Sequence, residues 1–228
     1  MTDDAGMVSF GVDAPGYLAK PASGTGPGIV VIQEWWGMNA HIRDVADRFA
    51  AEGFVVLAPD LYHGKETREP NEAEKMMMGM AMDHAAEDIV AAADYLAEHE
   101  STAGQGIGVV GFCMGGSLAL WSATLSDKIV ATVGFYPAIP WERMSPEWSR
   151  YRGKAALLHA DEHEGGINGP SILAAEQAIE GAGGDFSAYE YPGTDHAFFN
   201  DTRPEVYAPE AAALAWERTV AFLNDRVR

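Results

Sequence analysis

Cationic side chains are scarce in this chain. Fifteen Lys and Arg stand against 34 Asp and Glu, for a formal net charge of −19 at pH 7. That balance argues against nucleic acid or an anionic membrane as a partner. The acidic residues are spread through 66–74, 83–100 and 205–217, as solvated helix faces would be. Cysteine is almost missing too: Cys113 is the only one, so no internal disulfide can form, in keeping with a reducing compartment. No apolar run reaches membrane-spanning length, and the first residues, Met1 to Asp4, carry neither a basic nor a hydrophobic region. A cytoplasmic protein is expected. There is no Gly-x-Gly-x-x-Gly at a strand–helix junction and no Walker loop, so neither a nucleotide nor a flavin is expected as cofactor.

What is present is the patterning of a layered α/β protein. With 228 residues, 47% of them hydrophobic, the chain can build one sizeable core, and a single domain over 1–228 is expected. Residues 28–33 (Gly-Ile-Val-Val-Ile-Gln) form a continuous apolar run of the kind buried on both faces of a parallel sheet. Further strands are expected at 54–58, 129–135, 155–159 and 186–191, and an apolar β-type run from Ile107 enters the turn around Cys113. Two short strands, 7–12 and 17–19, flank an Ala14-Pro15-Gly16 turn signal. Helices are expected from Asn39, a capping residue, to Glu52, and at 83–98, 117–125, 170–179 and 211–225. Residues 59–82 read as a long irregular stretch with a methionine cluster. Strand and helix alternate, which specifies an α/β fold with a mostly parallel sheet and helices on both faces.

Residues 107–116 read Ile-Gly-Val-Val-Gly-Phe-Cys-Met-Gly-Gly. A strand runs into Gly-x-Cys-x-Gly and a helix leaves it, the context of a nucleophile elbow with cysteine at its tip. A cysteine nucleophile needs a base, and the base needs an orienting carboxylate. In such sheets the chain order is nucleophile, acid, histidine. His196, in Gly193-Thr194-Asp195-His196-Ala197-Phe198, follows the last strand and is the candidate base. The strand ending at His159 runs into a loop offering Asp161, Glu162 and Glu164. His159, Asp161, His163 and Glu164 could also be read as metal ligands. Such clusters are common in polar loops, so no metal is expected. The oxyanion donors would be the backbone N–H of Met114 and that of Trp35.

Together these motifs resemble the dienelactone hydrolase family of the α/β-hydrolase fold. Gln33-Glu34-Trp35-Trp36-Gly37-Met38-Asn39 resembles that family's Gln-Glu-x-x-Gly-x-Asn loop, and Ala58-Pro59-Asp60-Leu61-Tyr62 its Pro-Asp-Leu-Tyr strand exit. Gly111 to Gly116 resembles its cysteine elbow, and Asp195-His196-Ala197-Phe198 its histidine loop. The resemblance implies Cys113 as nucleophile, His196 as base, and Glu34 against the thiol, controlling its protonation. An ungapped register from His159 to Pro170-Ser171 implies Glu164 as the acid, with Asp161 as the fallback. It also implies two arginines that would hold a substrate carboxylate. One of these positions is Asn200 here, and the other falls near Glu72, with Arg68, Lys75 or Arg203 as possible substitutes.

The leading expectation is therefore a monomeric hydrolase of small ester or lactone substrates, working through an acyl-enzyme. Trp35, Trp36, Phe112, Phe198, Phe199 and Asn200 are expected around the substrate. A general carboxylesterase or thioesterase is the alternative within enzymes. A non-catalytic ligand-binding or thiol redox-sensing relative is the alternative outside them.

Overall fold

A computed structural model describes residues 6–138, 141–163 and 166–227. The chain opens with β1 (Met7–Phe10) and β2 (Ala14–Ala19), an antiparallel pair. The turn between them lies at 11–13, where Gly11 and Asp13 have φ of 54° and 60°. It precedes the Pro15-Gly16 signal, which instead lies within β2. β3 (Gly28–Ile32) and β4 (Val55–Pro59) are joined by α1 (Ala40–Ala51), whose N-cap Asn39 accepts from the N–H of Ile42.

The stretch expected to be irregular carries a helix, α2 (Pro70–Gly79), followed by α3 (Met82–Glu98). The signals were local ones: Pro70 occupies the first turn, Glu72 complements the helix N-terminus, and methionine and lysine are good helix formers. Periodicity missed α2 because it buries only Ala73 and so lacks an apolar stripe.

After β5 (Ile107–Phe112), α4 (Met114–Ser122) starts directly behind the elbow, three residues earlier than its leucine-rich stretch suggests. β6 (Ile129–Phe135), β7 (Ala155–Asp161), α5 (Pro170–Gly181), β8 (Asp185–Tyr191) and α6 (Pro209–Arg226) complete the chain. The eight strands form one sheet in the order β1-β2-β4-β3-β5-β6-β7-β8, parallel from β4 to β8.

Helices cover both faces. A Cβ on Gly108 would meet Leu223 of α6, while one on Gly111, three residues on, would meet α4. Successive strand residues point to opposite faces, so α6 and α4 lie on opposite sides of the sheet. α1 joins α6 through Phe49 and Trp216, whose ring centroids are 4.2 Å apart. Among the described residues no helix is long and apolar enough to cross a membrane.

The strand order places the site. β3 lies between β4 and β5, so the chain winds outward in both directions from this pair, and the crevice for a ligand opens at the carboxyl ends beside it. Register levels those ends: Ile32 pairs with Gly111, Phe112 with Phe135, and Phe135 with His159. Glu34, Cys113, Tyr136 and Asp161 therefore emerge at one rim.

Close approach of α4 to the sheet makes this possible. A Cβ on Gly115 would stand 2.5 Å from the carbonyl oxygen of Gln33 and 2.6 Å from that of Ile32, both backbone atoms that cannot yield. Gly115→Ala is expected to push α4 off β3 and lower stability by about 3 kcal/mol, at the upper end of overpacking costs. A thermal melt checks this; an unchanged midpoint would mean the helix has slack.

Candidate active site

Cys113 holds φ 55° and ψ −118°, a conformation rare for a side chain other than glycine. Such a residue costs on the order of 1–3 kcal/mol and persists only where its surroundings fix it. Here they do. Its N–H donates to Phe135 O at 3.0 Å, and its carbonyl accepts from Gly116 at 2.9 Å and Ala138 at 3.2 Å. The thiol is thereby carried at the N-cap of α4, where the helix dipole favours thiolate. Met114 is the first residue of that helix, which leaves its N–H outside the helical ladder and available to an oxyanion. Trp35 lies in the turn that follows β3, half-buried, its ring 5.0 Å from that of Trp36.

His196 sits in the loop after β8. The loop is fixed at its start by Thr194, whose hydroxyl donates to Tyr191 O at 2.7 Å. His196 Nδ1 lies 3.9 Å from Oδ2 of Asp161, the last residue of β7, which is buried. That is ion-pair range rather than a formed hydrogen bond, and such contacts often tighten only when substrate is bound. Glu164, the first choice for the acid, lies outside the described residues. Among the described residues, Asp161, the fallback, is a carboxylate set beside His196. Its signal was position, directly at the strand end.

Glu34 is 2% exposed. It accepts from Asn200 Nδ2 at 2.7 Å and from the Tyr136 hydroxyl at 3.4 Å. Burial pushes its carboxyl up to about 7, against the opposing pull of Asn200, the Arg203 charge and Tyr136. Tyr136 was not anticipated, and it is the hub of the site. Its ring centroid lies 4.9 Å from that of His196. Its hydroxyl is pushed well up, chiefly by burial and then by the charges of Glu34 and Cys113. The signal available was again position, as the first residue past β6. Tyr62 was also missed; its hydroxyl donates to Met114 Sδ at 3.3 Å behind the elbow.

The expected pocket aromatics divide. Phe112, Phe198 and Phe199 are buried in the support beneath the site: Phe112 stacks with Phe135 at 4.7 Å and Phe199 at 5.3 Å, and Phe198 packs on Tyr136 at 5.5 Å. Trp36 and Asn200 line a cavity of about 690 Å³, shared with Arg43, Arg68 and Arg203, whose lining includes neither Cys113 nor His196. A second cavity of about 970 Å³, between Tyr62 and α2, includes Met76 and Met80.

His159 is no ligand for a metal in that loop. Its ring nitrogens meet Thr219 Oγ1 at 2.9 Å and the Tyr191 hydroxyl at 2.8 Å, and burial followed by the Arg218 charge lowers its pKa to about 3. His163 instead meets Asp195 at 2.6 Å.

A mostly parallel sheet carrying a strained cysteine at a strand–helix turn, with histidine and carboxylate on the following strand ends, defines the α/β-hydrolase class. The model of the dienelactone hydrolase family matches residues 14–227. "Protein usf" of Aquifex pyrophilus is 37% identical, covering 96% of this chain and 97% of its own. The "Putative carboxymethylenebutenolidase" of Aquifex aeolicus is 32% identical over the same shares. Among solved structures, the "Putative Dienelactone Hydrolase" of Klebsiella pneumoniae superposes with a TM-score of 0.79 at 26% identity, covering 95% of each chain. The chain belongs to the dienelactone hydrolase family and is a dienelactone hydrolase-like ester hydrolase.

The buried carboxyl has a consequence for stability. Glu34 titrates near 7 when folded and at its ordinary value of 4.5 when unfolded. A group raised in this way contributes stability that is complete below about 4.5 and is lost as pH rises through about 7. Glu34→Gln is therefore expected to leave stability unchanged near pH 4.5 and to raise it by on the order of 2–3 kcal/mol at pH 8. Denaturant melts at the two pH values check this, and an equal effect at both would contradict the shift.

Proposed function

We propose that this protein cleaves ester or lactone bonds of small molecules with Cys113 as nucleophile, His196 as base and Asp161 as the acid that orients it. The observation that carries the reading is the elbow itself: Cys113 is held at φ 55° by four backbone hydrogen bonds, a strain that a merely structural thiol would not need. Asp161 beside His196 supports the rest.

In the reaction the Cys113 thiolate attacks the carbonyl carbon, and the electron pair moves to the carbonyl oxygen. The N–H groups of Met114 and Trp35 receive that oxyanion. Collapse expels the alkoxide, which takes a proton from protonated His196, and leaves a thioester on Cys113. Water then gives a proton to His196 as its oxygen attacks the thioester. Cys113 departs as thiolate and the acid is released. In a lactone the expelled alcohol stays tethered and leaves with the acid. Asp161 keeps the His196 ring in one orientation and stabilises its charged form.

For the substrate, the relative named as a carboxymethylenebutenolidase and the cavity of about 690 Å³ lined by Arg43, Arg68 and Arg203 favour a lactone bearing a carboxylate. Arginine matches a carboxylate with two parallel hydrogen bonds. Asn200, which supplies no charge, favours the second reading, a carboxylesterase of neutral esters. A carboxylated dienelactone and neutral aryl esters, given to wild type and variants, decide between them. Cys113→Ala is expected to abolish turnover. Asp161→Asn should lower kcat by roughly 10²–10⁴-fold. Arg203→Met should raise KM for the carboxylated substrate alone. Hydrolysis that survives in Cys113→Ala would overturn the mechanism, and neutral esters turned over in preference would give the second reading.

A further inference from the structure

Asn200 is as deeply buried as the carboxyl it serves, at 2% exposed. The orientation of its amide is forced. The N–H of Thr202 donates to Asn200 Oδ1 at 3.1 Å and the Thr202 hydroxyl donates to the same oxygen at 2.6 Å. A backbone N–H cannot accept, so the carbonyl end must face Thr202 and the NH₂ end must face Glu34. The loop bearing this pair is itself held. Asn200 N–H donates to Ala197 O at 2.9 Å, Arg203 N–H to Asn200 O at 3.1 Å, and Asp201 forms an ion pair with Arg48 of α1.

We propose that Asn200, locked by Thr202, is a positioning residue that sets how readily Glu34 carries a proton, and through Glu34 sets the reactivity of the Cys113 thiol. The inference rests on the reading of Cys113 as nucleophile. An amide donates to a carboxylate oxygen and, more weakly, to the carbonyl oxygen of a neutral carboxyl, so it favours the ionised form of Glu34 without forcing it. A guanidinium in direct contact would hold Glu34 ionised. The other carboxyl oxygen, Oε1, faces the Tyr136 hydroxyl at 3.4 Å, whose oxygen can accept the proton of the neutral form.

The charged and titratable groups around Glu34 come from four directions. Tyr136 follows β6 and Cys113 tops β5. His196 lies against the Tyr136 ring, and Arg203, one turn beyond Asn200, acts on Glu34 through space. The charges of Glu34 and Cys113 both push the Tyr136 hydroxyl up, so both groups lie within electrostatic reach of it. A neutral carboxyl near about 7 agrees with this arrangement. Neutral Glu34 leaves the thiolate unopposed, and ionised Glu34 disfavours it.

The test reads Glu34 and the thiol separately, and neither readout needs ester hydrolysis. The infrared carbonyl band of a protonated carboxyl, assigned by its loss in Glu34→Gln, is followed against pH. Removing the donor in Asn200→Leu should move its midpoint upward by roughly one pH unit or more. Thr202→Val should move it in the same direction by less, and Thr202→Ser, which keeps the hydroxyl, should restore it. Alkylation of Cys113, the sole cysteine, should be faster at pH 7 in Asn200→Leu than in wild type. That gain should vanish when Glu34→Gln is added. A band midpoint unmoved in Asn200→Leu would overturn the proposal. So would an alkylation gain that persists without Glu34. Thermal melts confirm that each variant is folded, and loss of turnover in Cys113→Ala judges the catalytic reading independently.

Discussion

Everything at this site depends on one close approach, that of α4 to the carboxyl edge of the sheet. Gly111, Gly115 and Gly116 stand where any Cβ would strike backbone atoms of α4, β3 or β6. Without side chains there, the helix drops into contact with the strands and the chain must turn from β5 into α4 within a single residue. That residue is Cys113, forced to positive φ and then fixed by hydrogen bonds from its neighbours. The turn gives the thiol a helix N-terminus behind it, an unladdered N–H beside it, and the crevice between β3 and β5 in front of it. The strain is offset elsewhere, by a core in which Phe112, Phe135 and Phe199 stack directly beneath the elbow.

The second organising feature is a buried acid hydrogen-bonded, among the described residues, to an amide and a phenol rather than to an arginine. Glu34 follows a fully buried strand by two residues and meets an amide and a phenol. Desolvation then dominates, and the carboxyl sits at the edge of protonation at neutral pH. Such a group lowers stability in its ionised form. Tyr136 joins the two halves of the rim, with its hydroxyl on Glu34 and its ring on His196.

Much of this was legible in the sequence, and the misses have physical causes. The Gly-x-Cys-x-Gly turn, the apolar run of 28–33 and the capping Asn39 are local signals, and a strand–helix turn, a buried strand and a capped helix formed there, with ends shifted by one to three residues. α2 escaped because a helix that buries one alanine has no stripe to read. Phe112, Phe198 and Phe199 were expected against substrate because aromatics beside catalytic residues suggest a pocket. Whether they face the cavity or the core depends on which side of the strand or loop they leave, and they face the core.

The sequence by itself determined the fold class, the family, the elbow and its cysteine, and the order in which Cys113, Asp161 and His196 follow one another. These are properties of contiguous residues and of their periodicity. Only the tertiary structure decided that Asp161 stands beside His196, that Tyr136 bridges the site, and that Asn200, turned by Thr202, faces Glu34. Glu34 and Asn200 are far apart along the chain, and the direction of a side-chain amide is fixed by hydrogen bonds. Sheet register, loop pinning and burial bring such groups together, and none of these is written in the spacing of the residues.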